Sequence, residues 1–141
     1  MAAVLHLLVR FIHIVGMAIL VGGTLFTWIT IRTTQLSTVL LRKYEWAFWG
    51  TLGVMVITGV GNIGARGAPG PATQWGTLLT AKLTLVLLFT LGSILRTLTV
   101  LRLSKRQPIP DRGTTLLRQS YAATAGALLL IAAVAEVLAH G

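Results

Sequence analysis

The 141-residue chain contains no cysteine, so disulfides, zinc sites built on thiolates and thiol-ligated iron–sulfur clusters are excluded. Acidic residues are almost as scarce, with three Asp and Glu against twelve Lys and Arg, a formal charge of +9. Charged residues make up 11% of the chain and apolar residues 55%, with a mean hydropathy of +0.82. A soluble domain of this length needs far more polar surface. The pattern also has no stretches of alternating polarity, which argues against a membrane β-barrel. It lacks paired carboxylates at glycosidase spacing, a phosphate-cradling glycine loop, an HExxH motif and a serine nucleophile elbow, so hydrolase and kinase chemistry have no support. No aromatic-rich basic surface or nucleic-acid motif accompanies the positive charge, and nucleic acid is not an expected partner.

What the chain does contain is four long apolar blocks, each near the ~20 residues that cross a bilayer core of ~30 Å. They predict an all-α fold: an integral membrane, antiparallel four-helix bundle forming a single transmembrane domain over residues 1–141. The predicted helices cover about 4–31, 44–63, 74–101 and 114–140. The first block is too long for a cleaved signal peptide, and its glycine-rich continuation suits packing, so it is expected to be a retained helix. Gly67, Pro69, Gly70 and Pro71 punctuate the second connection, and two prolines and several charges mark the third. Connections this short make consecutive helices antiparallel neighbours. Small residues recur along the helices, among them Gly16, Gly59 and Gly126, and permit the close approach that helix association in lipid relies on.

Basic residues set the expected orientation. Arg32, Arg42 and Lys43 edge the first connection, and Arg102, Lys105, Arg106, Arg112 and Arg118 the third, with Arg96 at the end of helix 3; the other side shows only Arg10 and Arg66. The positive-inside rule then puts both termini outside the cytoplasm of an inner (cytoplasmic) membrane. Tyr44, Trp46, Trp49 and Trp75 fall near helix ends, where aromatic residues favour the interface.

Ionisable residues within the spans are the candidates for function, because each is costly in hydrocarbon, by about 2.5–3.5 kcal/mol when charged. His6, Arg10, His13 and Met17 succeed one another at spacings of 4, 3 and 4 and share one face of helix 1. Lys82 lies two turns into helix 3, and Glu136 and His140 share a face near the end of helix 4. His13 and Lys82 fall deepest, about 10 Å below the outer ends at ~1.5 Å per residue. These groups converge on the outer half, and the half with the basic connections is expected to hold no comparable set. Each has a plainer role available. His6 and His140 are near enough to the ends to be solvated, Arg10 can snorkel, Glu136 can serve only to neutralise Lys82 or Arg10, and Met17 and Met55 can be filler. The chemistry open to the set is imidazole ligation of haem iron or copper, proton transfer by Lys82 or Glu136 in catalytic roles, and pairing of a cation with a carboxylate.

Helix 1 reads Phe11-Ile-His-Ile-Val-Gly-Met-Ala-Ile-Leu-Val-Gly-Gly-Thr-Leu-Phe26, and helix 3 reads Trp75-Gly-Thr-Leu-Leu-Thr-Ala-Lys-Leu-Thr-Leu-Val-Leu-Leu88. Both resemble a superfamily of small bacterial membrane bundles that includes the copper-resistance CopD domain and the HemJ-type protoporphyrinogen oxidases. The glycine six residues before Lys82 and the Arg96 beyond the aliphatic run are closer to CopD. The HemJ-type likeness implies haem b, with its helix-1 His and helix-3 Lys falling on His13 and Lys82. The segment Thr90-Leu-Gly-Ser-Ile94 lacks the late helix-3 His of those oxidases, which counts against protoporphyrinogen oxidation.

Three functions are expected from these residues and this likeness. The first is haem b binding in the outer half for electron transfer or haem-related redox chemistry, with His13, His6, His140 and Arg10 as the residues around the cofactor. The second is copper transport or resistance, with His13, His6, His140 and Met17 as metal ligands and Met55 adding a sulfur. The third is an accessory subunit of a larger membrane complex. The lipid bilayer is the expected partner in all three, with membrane protein partners or a second copy as further possibilities.

Overall fold

A computed structural model describes the backbone of residues 2–33, 37–66, 70, 73–106 and 109–140, and the side chains of residues 4–33, 37–61, 70, 73–106 and 109–138. Four helices run in order along the chain: α1 (Ala2–Thr33), α2 (Thr38–Arg66), α3 (Gln74–Ser104) and α4 (Asp111–His140). They contain 29 to 32 residues each. At ~1.5 Å per residue they reach about 45 Å, longer than the hydrocarbon core and long enough to enter both headgroup regions. Val4–Thr33, Gln74–Ser104 and Asp111–Leu138 are long and apolar enough to cross a membrane. The chain is a membrane protein with an antiparallel four-helix bundle.

The predicted starts of two helices are too late. α2 begins six residues before the expected position and α4 three residues before, while α3 continues to Ser104. Arg42 and Lys43 therefore lie on the first turns of α2 rather than in a loop. Local chemistry fixes these ends. Ser37 Oγ accepts from Leu40 N at the start of α2, and the Pro110 carbonyl accepts from Gly113 N and Thr114 N at the start of α4. Thr73 caps α3 by accepting from Gly76 N at 3.1 Å. Gly76 is required there, since a Cβ would fall 2.4 Å from the Gly70 carbonyl oxygen.

α1 packs along α2 and α4, α3 packs along α4, and α2 and α3 touch least. Packing is inside-out relative to a soluble bundle. Large apolar side chains such as Phe11, Ile57, Leu95 and Val137 face outward, while Thr24, Glu45, Ser93 and Arg96 are buried. Threonines that face the surroundings keep their hydroxyls satisfied within the helix: Thr30, Thr84 and Thr99 each donate to the carbonyl four residues back. An unpaired hydroxyl in lipid would cost several kcal/mol, so this back-bonding lets threonine line a lipid-facing surface.

The upper half of the bundle contains the start of α1, the end of α2, the start of α3 and the end of α4. The lower half contains the opposite ends. Two buried apolar clusters stack along the bundle. One, at mid-height, joins Leu20, Phe48, Leu52, Phe89, Leu128 and Ile131. The other, in the lower half, joins Ile31, Leu41, Val100, Leu117 and Tyr121.

Candidate functional site

The upper half encloses a cavity of about 380 Å3 between all four helices, opened by the sparse contact of α2 with α3. His6, Arg10, His13 and Met17 line it from α1, Met55 from α2, Trp75 and Lys82 from α3, and Glu136 from α4. Leu20, Leu52, Phe89 and Leu128 form its floor and belong to the mid-height apolar cluster. The 4, 3, 4 spacing on α1 is why four chemically distinct side chains reach one space. His6, His13 and Lys82 are half-buried, whereas Arg10 and Glu136 are exposed. His140 lies on the last turn of α4, and its side chain is outside the described residues.

The α1–α2 seam fixes the deepest donors. His13 Nδ1 lies 2.8 Å from Thr58 Oγ1, whose hydroxyl donates to the Val54 carbonyl at 2.8 Å. Donation to Val54 is compatible with the tautomer in which Nδ1–H donates to Thr58, and that tautomer leaves the Nε2 lone pair for a ligand. Gly59 packs beside the ring: a Cβ there would sit 3.5 Å from His13 Cε1. Met55 lies against Gly16, where a Cβ would come within 2.7 Å of the Met55 sulfur. Gly16 stands between His13 and Met17 on α1, and His13, Met17 and Met55 line the same cavity. Among the described residues no group of three His, Cys, Asp or Glu side chains is placed to hold a metal ion. A metal here would depend on the sulfurs.

The lower half is not empty of ionisable groups, contrary to the expectation from sequence. Arg96 Nε donates to Glu45 Oε1 at 2.9 Å and Arg96 Nη2 to Oε2 at 3.0 Å. Tyr121 OH donates to Oε1 at 2.6 Å, Thr97 to Oε2, and Arg96 Nη1 to Thr124 Oγ1 at 2.9 Å. The Arg96 and Glu45 side chains are 1% and 5% exposed. The guanidinium is also enclosed by the rings of Phe48, Tyr121 and Tyr44 at 4.2, 4.9 and 5.7 Å. Four charge-assisted bonds on one carboxylate compensate its transfer from water. Ser93 Oγ, one turn from Thr97, is the one buried side-chain polar atom among the described residues without a hydrogen-bond partner.

Two aromatic expectations change with this network. Tyr44 turns inward: its ring packs on Tyr121 and its hydroxyl bonds Thr24 Oγ1 at 2.6 Å. Trp49 turns inward as well and donates to Thr97 Oγ1 at 3.0 Å. Trp46, 79% exposed, keeps an outward position, and Trp75 lines the cavity. Arg96 is not at a helix end, since α3 runs two turns beyond it. The signal that could have found the pair was present: opposite charges at matching distances from the lower ends of two adjacent antiparallel helices.

The arrangement defines a small polytopic membrane protein with a largely apolar cavity that carries ionisable side chains in one half and a sealed ion-pair network in the other. Residues 38–138 match the family of copper resistance protein D, CopD, and the chain belongs to that family. No curated protein and no solved structure matches it. The matched segment takes in α2, α3 and most of α4, whereas the resemblance seen in sequence rests on helices 1 and 3. Met55, Lys82 and Glu136 fall within it, together with Glu45 and Arg96; His6, Arg10, His13 and Met17 precede it.

Proposed function

We propose that the chain handles copper within a membrane and that the upper cavity is where the ion binds. His13 Nε2 and the sulfurs of Met17 and Met55 would be its ligands, with His6 closer to the mouth. The observation that carries this reading is the shared cavity lining of one imidazole and two thioethers in a member of the CopD family. Thioether ligands select cuprous ion, and imidazole accepts it as well. Copper is here the cargo of the protein. Lys82 and Glu136, the residues that sequence assigns to proton transfer, would set the charge of the site.

Haem b, the first expectation from sequence, gains no support from the matched family, and the two sulfurs beside His13 suit a soft ion better. An accessory role in a larger complex stays open to test through the outward apolar surface, which lipid, another membrane protein or a second copy could cover. By the positive-inside rule the lower end, with Arg32, Lys43, Arg102 and Lys105, would face the cytoplasm of an inner membrane, and the cavity would open on the other side.

The test is cuprous-ion binding by the purified protein in detergent, measured by competition with a colorimetric chelator. Binding of one ion per chain is expected, with a loss of roughly tenfold or more, about 1.4 kcal/mol, for His13→Ala or for Met17→Leu with Met55→Leu. Copper retention no greater than that of a detergent blank would sink the reading. A haem absorption band in the native preparation would restore the first expectation, and co-purification with other membrane proteins would favour the accessory role.

A further inference from the structure

The cavity has two chemically different walls. The soft donors His13, Met17 and Met55 lie along the α1–α2 seam, while Arg10 and Lys82 supply cations from α1 and α3. Glu136 is the one carboxylate among the described lining residues, so fixed charge in the cavity is two positive against one negative. A bare cuprous ion would add a further positive charge next to these groups, in a space with an apolar floor. Like charges at short range in a weakly screened environment oppose such binding. The size of the space points the same way. About 380 Å3 falls in the range of pockets that hold small molecules, roughly 300–1,000 Å3. An ion held by three side chains would fill only a small part of it.

We infer that the cavity takes copper together with a small carboxylate anion seated between Lys82 and Arg10. The carboxylate would balance the charge that the ion adds. It would also neutralise the cationic wall. Lys82 is half-buried and lines the cavity from two turns into α3, and Arg10 lies one turn above His13. Both line the cavity that His13 also lines. Charge-assisted hydrogen bonds to a carboxylate are the strongest contacts these side chains can form there. This inference rests on the copper reading of the same cavity.

The experiment measures cuprous-ion affinity of the full chain in detergent in a sulfonate buffer at about pH 7, with and without acetate at equal ionic strength, correcting for copper–acetate complexes in solution. Acetate is expected to raise the affinity about tenfold, equivalent to ~1.4 kcal/mol. In Arg10→Gln/Lys82→Gln the rise should vanish, while affinity without acetate increases because repulsion is removed. Lys82→Arg, which keeps the charge, should retain the rise. Equal affinity in the two media for the unaltered protein overturns the inference and leaves copper binding intact. Persistence of the rise in the double variant also overturns it, because the anion would then sit elsewhere. Absence of copper binding in both media removes the copper reading and this inference with it.

Discussion

Arg96 meets Glu45 side-on, with Nε 2.9 Å from Oε1 and Nη2 3.0 Å from Oε2, and both side chains are closed off from the surroundings. Removing one member leaves the other charged and buried. Glu45→Gln or Arg96→Met should destabilise the bundle by about 3–5 kcal/mol. Replacing both with Met should cost much less than the two singles combined, since no orphan charge remains. Unfolding in mixed micelles with increasing sodium dodecyl sulfate provides the measurement. Single variants as stable as the unaltered protein would show that the pair contributes nothing.

Ser93 presents the opposite case. The residue is 1% exposed and its hydroxyl has no hydrogen-bond partner among the described residues, one turn from a network in which the carboxylate is fully bonded. Ser93→Ala removes a polar atom whose burial is uncompensated. The same unfolding assay should find it neutral or more stable by about 1 kcal/mol. A loss of stability of that size would mean that the hydroxyl has a partner in the folded protein.

Thr58 offers a way to test the orientation of His13 without touching a copper ligand. The Thr58→Val change keeps the branched shape but removes the hydroxyl that bonds Nδ1. Partners that orient ligating imidazoles are typically worth about 10–100-fold in metal affinity. Copper competition should therefore show a loss in that range with helical content preserved. Unchanged affinity would mean that the imidazole is oriented by something else.

Gly16 sets the depth of the Met55 sulfur. A methyl group at this position would come within 2.7 Å of it, but the thioether end of Met is flexible and can move aside. Gly16→Ala should thus fold at a cost of about 1–3 kcal/mol, as overpacked sites do, and bind copper more weakly. Gly59→Ala serves as the comparison, because its Cβ would make only an ordinary contact with His13. Equal copper affinity in the two variants would argue that the seam does not position the sulfur.

The helices and the convergence on α1 were legible because both come from hydrophobic length and helical repeat, which depend on neighbours in sequence. His6, Arg10, His13 and Met17 could be placed on one face for the same reason. Glu45 was not legible as a core residue. It comes directly after Tyr44, where the apolar run of helix 2 begins, and an acid at the edge of an apolar run reads as an interfacial group. The helix starts two turns earlier, at Thr38, because Ser37 and Thr38 can begin a turn that hydropathy does not mark. Arg96 was displaced toward the edge in the same way at the end of α3. The partners that make their burial tolerable, Tyr121, Thr97 and Thr124, come from other parts of the chain. No local pattern announces them.

The layer of Leu20, Phe48, Leu52, Phe89 and Leu128 has an electrical consequence. Water in the upper cavity would hold its lining near the potential of the solution on that side. Most of the voltage across the membrane would then fall over the remaining slab, the mid-height layer and the sealed lower half. A univalent ion crossing that slab would experience nearly the full drop, ~2.3 kcal/mol per 100 mV. Voltage would therefore bias such a crossing far more steeply than it biases entry from the mouth.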